Sequence, residues 1–182
     1  AIEILSFPPL ALHFFIIFLM EAIDLGLSVL WADRNFGAQD PDDFGCYVKW
    51  HRKRDNLIAL KEYEGDWIRI PSGWRLPTAE ECIELIKECK IEQGYHTKAV
   101  VRGSTGLSIT FRYGAYYSER WKVVPKPANS CGLYLTSSFG WNGNIKFLYL
   151  GFDYGRYQHY VENNGDRNSY LNIRLVKDRD KL

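Results

Sequence analysis

The chain has 182 residues, of which 46% are hydrophobic and 25% are charged. This composition is typical of a soluble globular protein, and the length is that of one domain. The 23 basic and 22 acidic residues leave a net charge of +1. With so small a net charge, no overall field attracts the chain to nucleic acid, to an acidic substrate or to an anionic membrane. We therefore expect no nucleic-acid partner.

Residues 1–20 form a hydrophobic N-terminal segment, and residues 21–182 are predicted to form a single domain. The most apolar run, residues 10–20, is shorter than the roughly 20 residues that a membrane-spanning helix needs, so no transmembrane span is expected. The run is similar to the core of an export signal, but no Lys or Arg precedes it. Three interpretations stay open: a remnant of an export or anchoring signal, sequence upstream of a start at Met20, or a packed native element.

Short strands are predicted after this segment. Residues 22–32 contain two apolar strand candidates, and residues 44–50 are rich in aromatic and β-branched residues, which also predicts a strand. Residues 51–72 are polar and irregular, and we expect a long loop there. The basic run at residues 51–54 in this loop has two interpretations, a solvated loop or a contact for phosphate or another polyanion.

The clearest local signal is the start of a helix. Thr78 follows Pro77, and its side chain can cap the helix while Glu81 reaches back to the cap, which forms a Thr-x-x-Glu capping box. The apolar residues that follow have the spacing of one buried helix face: Cys82, Leu85, Ile86 and Cys89. This spacing predicts one amphipathic helix over about residues 78–90. Nothing on it indicates catalysis.

The remaining strands are predicted in the second half of the chain. Residues 98–102 and 107–111 flank a Gly-Ser-Thr-Gly turn. Three further strand candidates, at residues 133–138, 147–152 and 170–176, are separated by clusters of Gly, Asn and Asp. Many short strands with one well-capped helix predict an α+β domain with mostly antiparallel strands and long loops.

The four cysteines include no Cys-x-x-Cys pair, so a structural zinc site is not expected. Seven residues of helix separate Cys82 from Cys89 by roughly 10 Å, which is beyond disulfide reach, and both are interpreted as small core residues. A disulfide between Cys46 and Cys131 stays open.

Five segments stand in a fixed order between about residue 21 and residue 176: Asp-Leu-Gly-Leu-Ser-Val-Leu-Trp-Ala at 24–32, Asn-Phe-Gly-Ala at 35–38, Gly-Cys-Tyr-Val-Lys-Trp at 45–50, Trp-Arg-Leu-Pro-Thr at 74–78 with Glu81, and Tyr-Leu-Thr-Ser-Ser at 134–138. Together they resemble the Fibrobacter succinogenes major paralogous domain family. The Arg-Leu-Pro-Thr segment also occurs in formylglycine-generating enzymes and other domains with a C-type-lectin-like fold. That segment therefore indicates the fold more than the family.

This resemblance implies a C-type-lectin-like fold, in which the two ends of the domain meet in one sheet, the helix packs against it, and loops and outer strands form a binding face. It also implies export to a bacterial cell surface or the extracellular space, with a lipid or signal-type anchor in many members. In some members a diversity-generating retroelement rewrites codons near the C-terminus. The chain departs from the family pattern at residues 111–114, 135–136 and 171–176, so the resemblance is to a divergent member.

The region between residues 139 and 172 is rich in Tyr, Trp, Asn and Arg, the residue types of antibody-like binding surfaces. Rings with amide and charged neighbours also suit sugars. The competing interpretation is that these residues cover a twisted sheet and its turns. The predicted site for a protein or glycan ligand comprises Trp141, Asn142, Asn144, Tyr149, Asp153, Tyr154, Arg156, Tyr157, His159, Tyr160, Asn163, Asn164, Arg167 and Asn168.

Two functions follow from this region, and neither is enzymatic. The first is a monomeric, non-catalytic module for ligand recognition or adhesion. The alternative is a structural or adhesin-tip subunit whose Tyr-rich strands pack on a partner chain or on another copy. A monomer with this face exposed would favour recognition, and self-association through it would favour assembly.

Motifs for catalysis and cofactors are missing from the sequence. It contains no glycine-rich phosphate loop, no Gly-x-Ser-x-Gly elbow and no paired-histidine metal motif. Cys131 and His159 lack any signature of a nucleophile and its base. Oxygen ligands for calcium at Asp153 and residues 162–166 match no known loop spacing. We expect no catalytic residue, no metal and no cofactor.

Overall fold

The structure is a computed structural model, and it describes residues 20–52, 58–62, 65–94, 97–114, 117–118, 131–141, 143–153, 155–165 and 169–179. These residues contain fourteen β-strands and one short α-helix, so the fold is α+β with sheet dominant. No helix in this part of the chain is long and apolar enough to cross a membrane. The predicted N-terminal segment, apart from Met20, lies outside the described residues.

The smallest sheet joins the beginning of the described chain to its end. Its strands are β1 (Ala22–Ile23), β2 (Val29–Ala32) and β14 (Val176–Asp178). Strand β2 lies in the middle and is antiparallel to both neighbours, with Trp31 opposite Val176. Arg75, from the segment before the helix, forms a β-bridge with Val176.

A second sheet is an antiparallel three-stranded meander. It consists of β6 (Lys90–Gly94), β7 (Lys98–Arg102) and β8 (Ser108–Arg112). The strand pair predicted around the Gly-Ser-Thr-Gly turn is confirmed by β7 and β8. Strand β6, which follows the helix directly, was not predicted, since its Glu and Gln residues mask the alternating pattern of a strand.

The large sheet has eight strands. They are β3 (Tyr47–Arg52), β4 (Ile58–Glu62), β5 (Trp67–Ile68), β9 (Tyr117–Ser118), β10 (Cys131–Phe139), β11 (Ile145–Asp153), β12 (Arg156–Gly165) and β13 (Ser169–Asn172). The order is β12-β11-β10-β13-β3-β4-β5, with β9 attached to β13. Only the β10–β13 pair is parallel among the pairs in this sheet of the described chain.

Three predictions about strands are corrected by this sheet. The loop predicted over residues 51–72 contains β4 and β5, whose polar outward residues hide the strand signal. The strand predicted over residues 170–176 is two strands in different sheets, because the chain crosses between them at residues 173–175. Strand β12 was not among the predicted strands, and its end falls on the Asn and Gly cluster from residue 162 onward that was interpreted as separating two strands.

The helix α1 (Ala79–Glu88) begins after the Thr78 cap, as the sequence predicts. The hydroxyl of Thr78 accepts a hydrogen bond from the Glu81 N–H at 3.2 Å, and the Glu81 carboxylate accepts one from the Thr78 N–H at 2.8 Å. The predicted apolar stripe is buried or partly buried against one core: Cys82, Leu85, Ile86 and Cys89. The helix packs on β10, β11 and β12.

Two hydrophobic cores lie on opposite faces of the β10–β11 ladder. The first core joins the helix, the meander, β2 and one face of the ladder and includes Leu25, Trp31, Cys82, Leu85, Val101, Phe111, Tyr134, Leu148 and Leu150. The second core joins the other face of the ladder to β3, β4 and the 173–175 crossing and includes Phe36, Val48, Trp50, Leu60, Leu133, Leu135, Ile145, Leu171 and Ile173. The ladder is therefore buried on both sides over most of its length.

Arg174 lies fully buried where the chain crosses from the large sheet to the small one. Its guanidinium donates to the Asn35 side chain at 2.7 and 3.1 Å, to the Ala32 carbonyl at 3.0 Å and to the Thr110 carbonyl. The group also stacks 4.5 Å from the centre of the Phe111 ring. Burial lowers the pKa of Arg174 to about 10, so the side chain stays charged at neutral pH.

Replacing Arg174 by Met is expected to lower the free energy of unfolding by about 3 kcal/mol or more, because three buried acceptors lose their donor. Urea unfolding followed by tryptophan fluorescence measures this change. The exposed Arg102, changed to Met, is the control and should shift stability by about 0.5 kcal/mol or less. Equal stabilities of the two variants would contradict a supporting role for the buried guanidinium.

The capping box gives a second prediction. Thr78→Ala removes the hydroxyl that accepts from Glu81 and should cost about 1 kcal/mol of stability. Thr78→Ser keeps that hydroxyl and should stay close to the wild type. The same urea titration measures both variants, and an equal loss in both would mean that the hydroxyl does not cap the helix.

Candidate functional site

The predicted site residues fall mainly on the hairpin formed by β11 and β12. The ladder pairs Ile145 with Gly165 at one end and Asp153 with Arg156 at the other, and Gly155 closes the turn with a positive φ of 77°. Strand β12 forms one edge of the large sheet as the structure describes it. The hairpin therefore offers both a sheet face and a strand edge.

Trp141 lies in the turn between β10 and β11 and is 94% exposed. The turn is closed by two backbone hydrogen bonds, from Gly140 N–H to the Asn144 carbonyl at 2.7 Å and from Gly143 N–H to the Gly140 carbonyl at 3.0 Å. Gly143 has a φ of 71°, which a side chain would strain. A large ring is thus displayed to solvent on a short, hydrogen-bonded turn.

Tyr149 and Tyr160 lie directly opposite each other on β11 and β12. Their rings stack with a centroid distance of 4.7 Å and an interplanar angle of 12°. Tyr149 packs partly against the second core, whereas Tyr160 is 36% exposed. The inner ring therefore holds the outer ring in one orientation, which lowers the entropy that Tyr160 would lose on binding.

The register of the ladder shows which residues share a sheet face with the Tyr149–Tyr160 stack. Side chains alternate along a strand, so every second residue of β12 lies on the Tyr160 face. We name this group the hairpin strip: Arg156, Gln158, Tyr160 and Glu162, with Tyr149 behind them. Gln158 and Glu162 were not among the predicted site residues, although strict alternation around Tyr160 could have identified them.

Tyr157 and His159 face the other side of the hairpin, in the direction of the first core. The Tyr157 ring is 45% exposed and meets Phe152 edge-on, with centroids 4.9 Å apart. His159 is half-buried, and its Nε2 lies 3.5 Å from the side-chain nitrogen of Gln93 on β6, whose carbonyl oxygen accepts from the Tyr113 hydroxyl. His159 thus belongs to a network inside the fold.

Burial lowers the pKa of His159, and a hydrogen bond to the Gln158 backbone only partly offsets this effect. Desolvation penalises the imidazolium, so the ring is held neutral near physiological pH. A neutral ring in contact with Gln93 is suited to a structural hydrogen bond more than to binding an anion.

The predicted residues are spread along the hairpin instead of forming one compact patch. Trp141 and Asn144 lie at one end of β11, and Arg156 lies at the other, roughly 27 Å away over nine strand residues. The Tyr149–Tyr160 stack lies between them. Asp153, Asn163 and Asn164 are described by their backbone only, and the other predicted residues lie outside the described chain: Asn142, Tyr154, Arg167 and Asn168.

No group of three or more His, Cys, Asp or Glu residues in the described chain could hold a metal ion. None of the four cysteines, all of which lie in the described residues, forms a disulfide, so the Cys46–Cys131 bridge that the sequence left open is not formed. Burial raises the pKa of the Cys46 and Cys82 thiols well above the usual value and that of Cys89 to about 11. These three thiols are therefore protonated at neutral pH.

Comparisons of the chain with models of protein families, with curated proteins and with solved structures found no match. The described strands and helix define the class of the molecule. It is a mostly β, α+β protein with a long edge hairpin that exposes aromatic side chains.

The lowered pKa of His159 gives a testable pH dependence. Above about pH 6.5 the ring is neutral in both the folded and the unfolded chain, so it adds no pH dependence. Below that pH the unfolded chain takes up a proton that the folded chain resists, and this ring lowers the free energy of unfolding as pH falls. In His159→Gln this contribution disappears.

Urea unfolding of wild type and His159→Gln at intervals between about pH 5 and about pH 8 measures the difference. We expect the wild-type curve to fall more steeply below about pH 6.5 and the two curves to run parallel above it. The upper part of the range serves as the internal control. Parallel curves throughout would show that His159 titrates equally in both states.

Proposed function

We propose that the chain is a non-catalytic recognition module with a C-type-lectin-like fold, which binds a protein or glycan through the hairpin strip and Trp141. The exposure of Trp141 on a hydrogen-bonded turn is the observation that carries this proposal. Large aromatic rings contribute much of the energy in binding surfaces. Tyr157 and Tyr160 add two further exposed rings on the same hairpin.

Support for the fold comes from the two ends of the domain and from the segment before the helix. Strand β2 pairs with β14, which agrees with the closed ends that the family resemblance implies. Arg75 of the Arg-Leu-Pro-Thr segment donates to Glu81 at 2.6 and 2.9 Å and to Asp178 at 2.6 Å, and it thereby ties the helix start to β14. The segment thus has a structural role.

Support for a binding role without catalysis comes from the chemistry of the described groups. A nucleophilic thiol needs a lowered pKa, whereas burial raises the pKa of Cys46, Cys82 and Cys89. His159 contacts Gln93 inside the fold. The strip itself offers stacked rings, a guanidinium, an amide and a carboxylate, which suit hydrogen bonding to a ligand.

Export to a bacterial surface and diversification by a retroelement belong to the proposal through the family resemblance alone. Diversified codons would fall on β11, β12 and their turns, the region that the exposed rings mark. A reverse-transcriptase gene beside the coding sequence, with a near-copy of its 3′ end, would support diversification. Flanking DNA without either would rule it out.

Assembly is the second candidate function, and the edge position of β12 favours it. A ten-residue edge strand presents backbone donors and acceptors to which a strand from a partner or another copy can be added. Sedimentation of the purified chain separates the two functions, because a recognition module stays monomeric whereas an assembly subunit self-associates at higher concentration.

Glycan and protein arrays probed with Trp141→Ala and Tyr160→Ala test the recognition surface. Each variant is expected to bind at least about tenfold more weakly to the ligand that the wild type selects, as for a central aromatic contact. Leu107→Ala, which removes an exposed side chain from the β7–β8 turn, is the matched control and should bind normally. Full binding by both aromatic variants would remove this surface as the site.

A further inference from the structure

A row of four side chains crosses the half of the large sheet that lies away from the hairpin. The register pairs Lys49 with Lys61 and Lys61 with Trp67, and Tyr170 comes next to Lys49 because Leu171 pairs with Val48. We name these residues the cationic row. The Lys49 ammonium lies 6.0 Å from the centre of the Tyr170 ring, which agrees with this register.

The row faces away from the second core. Val48 and Leu60, which alternate with Lys49 and Lys61, point into that core. Neighbouring strands lie about 4.8 Å apart, so the two rings at the ends of the row are roughly 14 Å apart with two ammonium groups between them. The spacing is set by backbone hydrogen bonds and is therefore rigid.

Trp67 is 58% exposed and is oriented by His51, whose ring meets it edge-on at a centroid distance of 5.0 Å and an angle of 64°. His51 begins the basic run for which a contact with a polyanion was one of two interpretations, and β3 carries it onto this face. Trp67 is thus a large exposed ring on a surface separate from the hairpin.

Lys49 and Lys61 lie directly opposite each other on adjacent strands and carry charges of the same sign. Arg69, exposed two residues after Trp67, adds a further positive charge at this end of the sheet. Ammonium groups placed side by side in this way can complement the acid groups of a ligand.

We propose that the cationic row binds an anionic oligosaccharide, with sugar rings stacked on Trp67 and Tyr170 and carboxylate or sulfate groups placed on Lys49 and Lys61. Exposed aromatic rings suit the apolar faces of sugars, and ammonium groups complement their acid groups. Nucleic acid is disfavoured because the chain has a net charge of only +1.

This surface is distinct from the site of the proposed function. The hairpin strip lies on β12 at one end of the sheet order, whereas Trp67 lies on β5 at the other end. Loss of one site should leave the other intact, so Trp141→Ala and Trp67→Ala report on the two proposals separately.

Isothermal titration calorimetry of the full chain tests the proposal with four probes: a heparin-derived hexasaccharide, hexagalacturonate, maltohexaose and a dodecamer of dT. We expect binding to at least one of the two acidic oligosaccharides and to neither of the other probes. The sulfated and carboxylated probes distinguish the two kinds of acid group. Affinity should fall as salt rises from about 50 to about 200 mM, because ion pairs at a surface are screened.

Variants connect that binding to the row. Trp67→Ala and the double variant Lys49→Gln with Lys61→Gln should each weaken binding at least about tenfold, and Trp67→Phe should retain most of it because a ring remains. Lys87→Gln on the exposed side of the helix is the control that should bind like the wild type. Urea unfolding confirms that each variant is folded.

Three results would each overturn the proposal. The first is binding to neither acidic oligosaccharide. The second is equal or tighter binding of the dT dodecamer, which would assign the row to nucleic acid. The third is unchanged affinity for the acidic probe in both the Trp67→Ala and the double lysine variant.

Discussion

The guanidinium of Arg174 joins the three sheets of the described chain through hydrogen bonds. It bonds to Ala32 at the end of β2, to Asn35 in the following loop and to Thr110 in β8, at the place where the chain leaves β13 for β14. Asn35 in turn donates to the Phe44 carbonyl at 2.9 Å, an acceptor that it shares with Asn172. A buried guanidinium is stable at this position because hydrogen-bond acceptors and an aromatic ring surround it. Such a network is satisfied in only one arrangement of the surrounding segments. The three sheets meet around it, so the placement of the hairpin and of the cationic row depends on it.

The elements that could be predicted from the sequence are those defined by near neighbours in the chain. The Thr78 and Glu81 capping box needs four residues, and the β7–β8 pair needs one turn, so both were found to within two residues of their observed limits. Strands β4, β5 and β12 were missed because half of their residues are polar and the partners that pair with them are not marked in the local pattern. The apolar run at residues 170–176 hid a change of sheet, since Arg174 is buried by contacts that come from distant segments.

Composition identified the hairpin as the candidate surface, but it did not separate its faces. Composition alone assigns His159 and Tyr160 to the same surface. The register of the ladder instead turns His159 toward Gln93 and Tyr160 toward solvent. Tyr149 has the same composition signal as Tyr160 and acts as its support. Register is the missing quantity, because a shift of one residue exchanges the two faces of a strand. The C-type-lectin-like fold, the ligand and the export of the protein stay predictions.

The pairing of β2 with β14 and of β3 with β13 also bears on how the protein is made. While the chain leaves the ribosome, Trp31 is paired on one side only, with β1, and Val48 on one side only, with β4, until residues 171–178 have emerged. Sheets built from such distant segments form slowly, and their apolar strands are prone to aggregate in the meantime. Folding of these sheets is therefore completed only after β14 has emerged, and their half-paired strands are exposed to aggregation up to that moment.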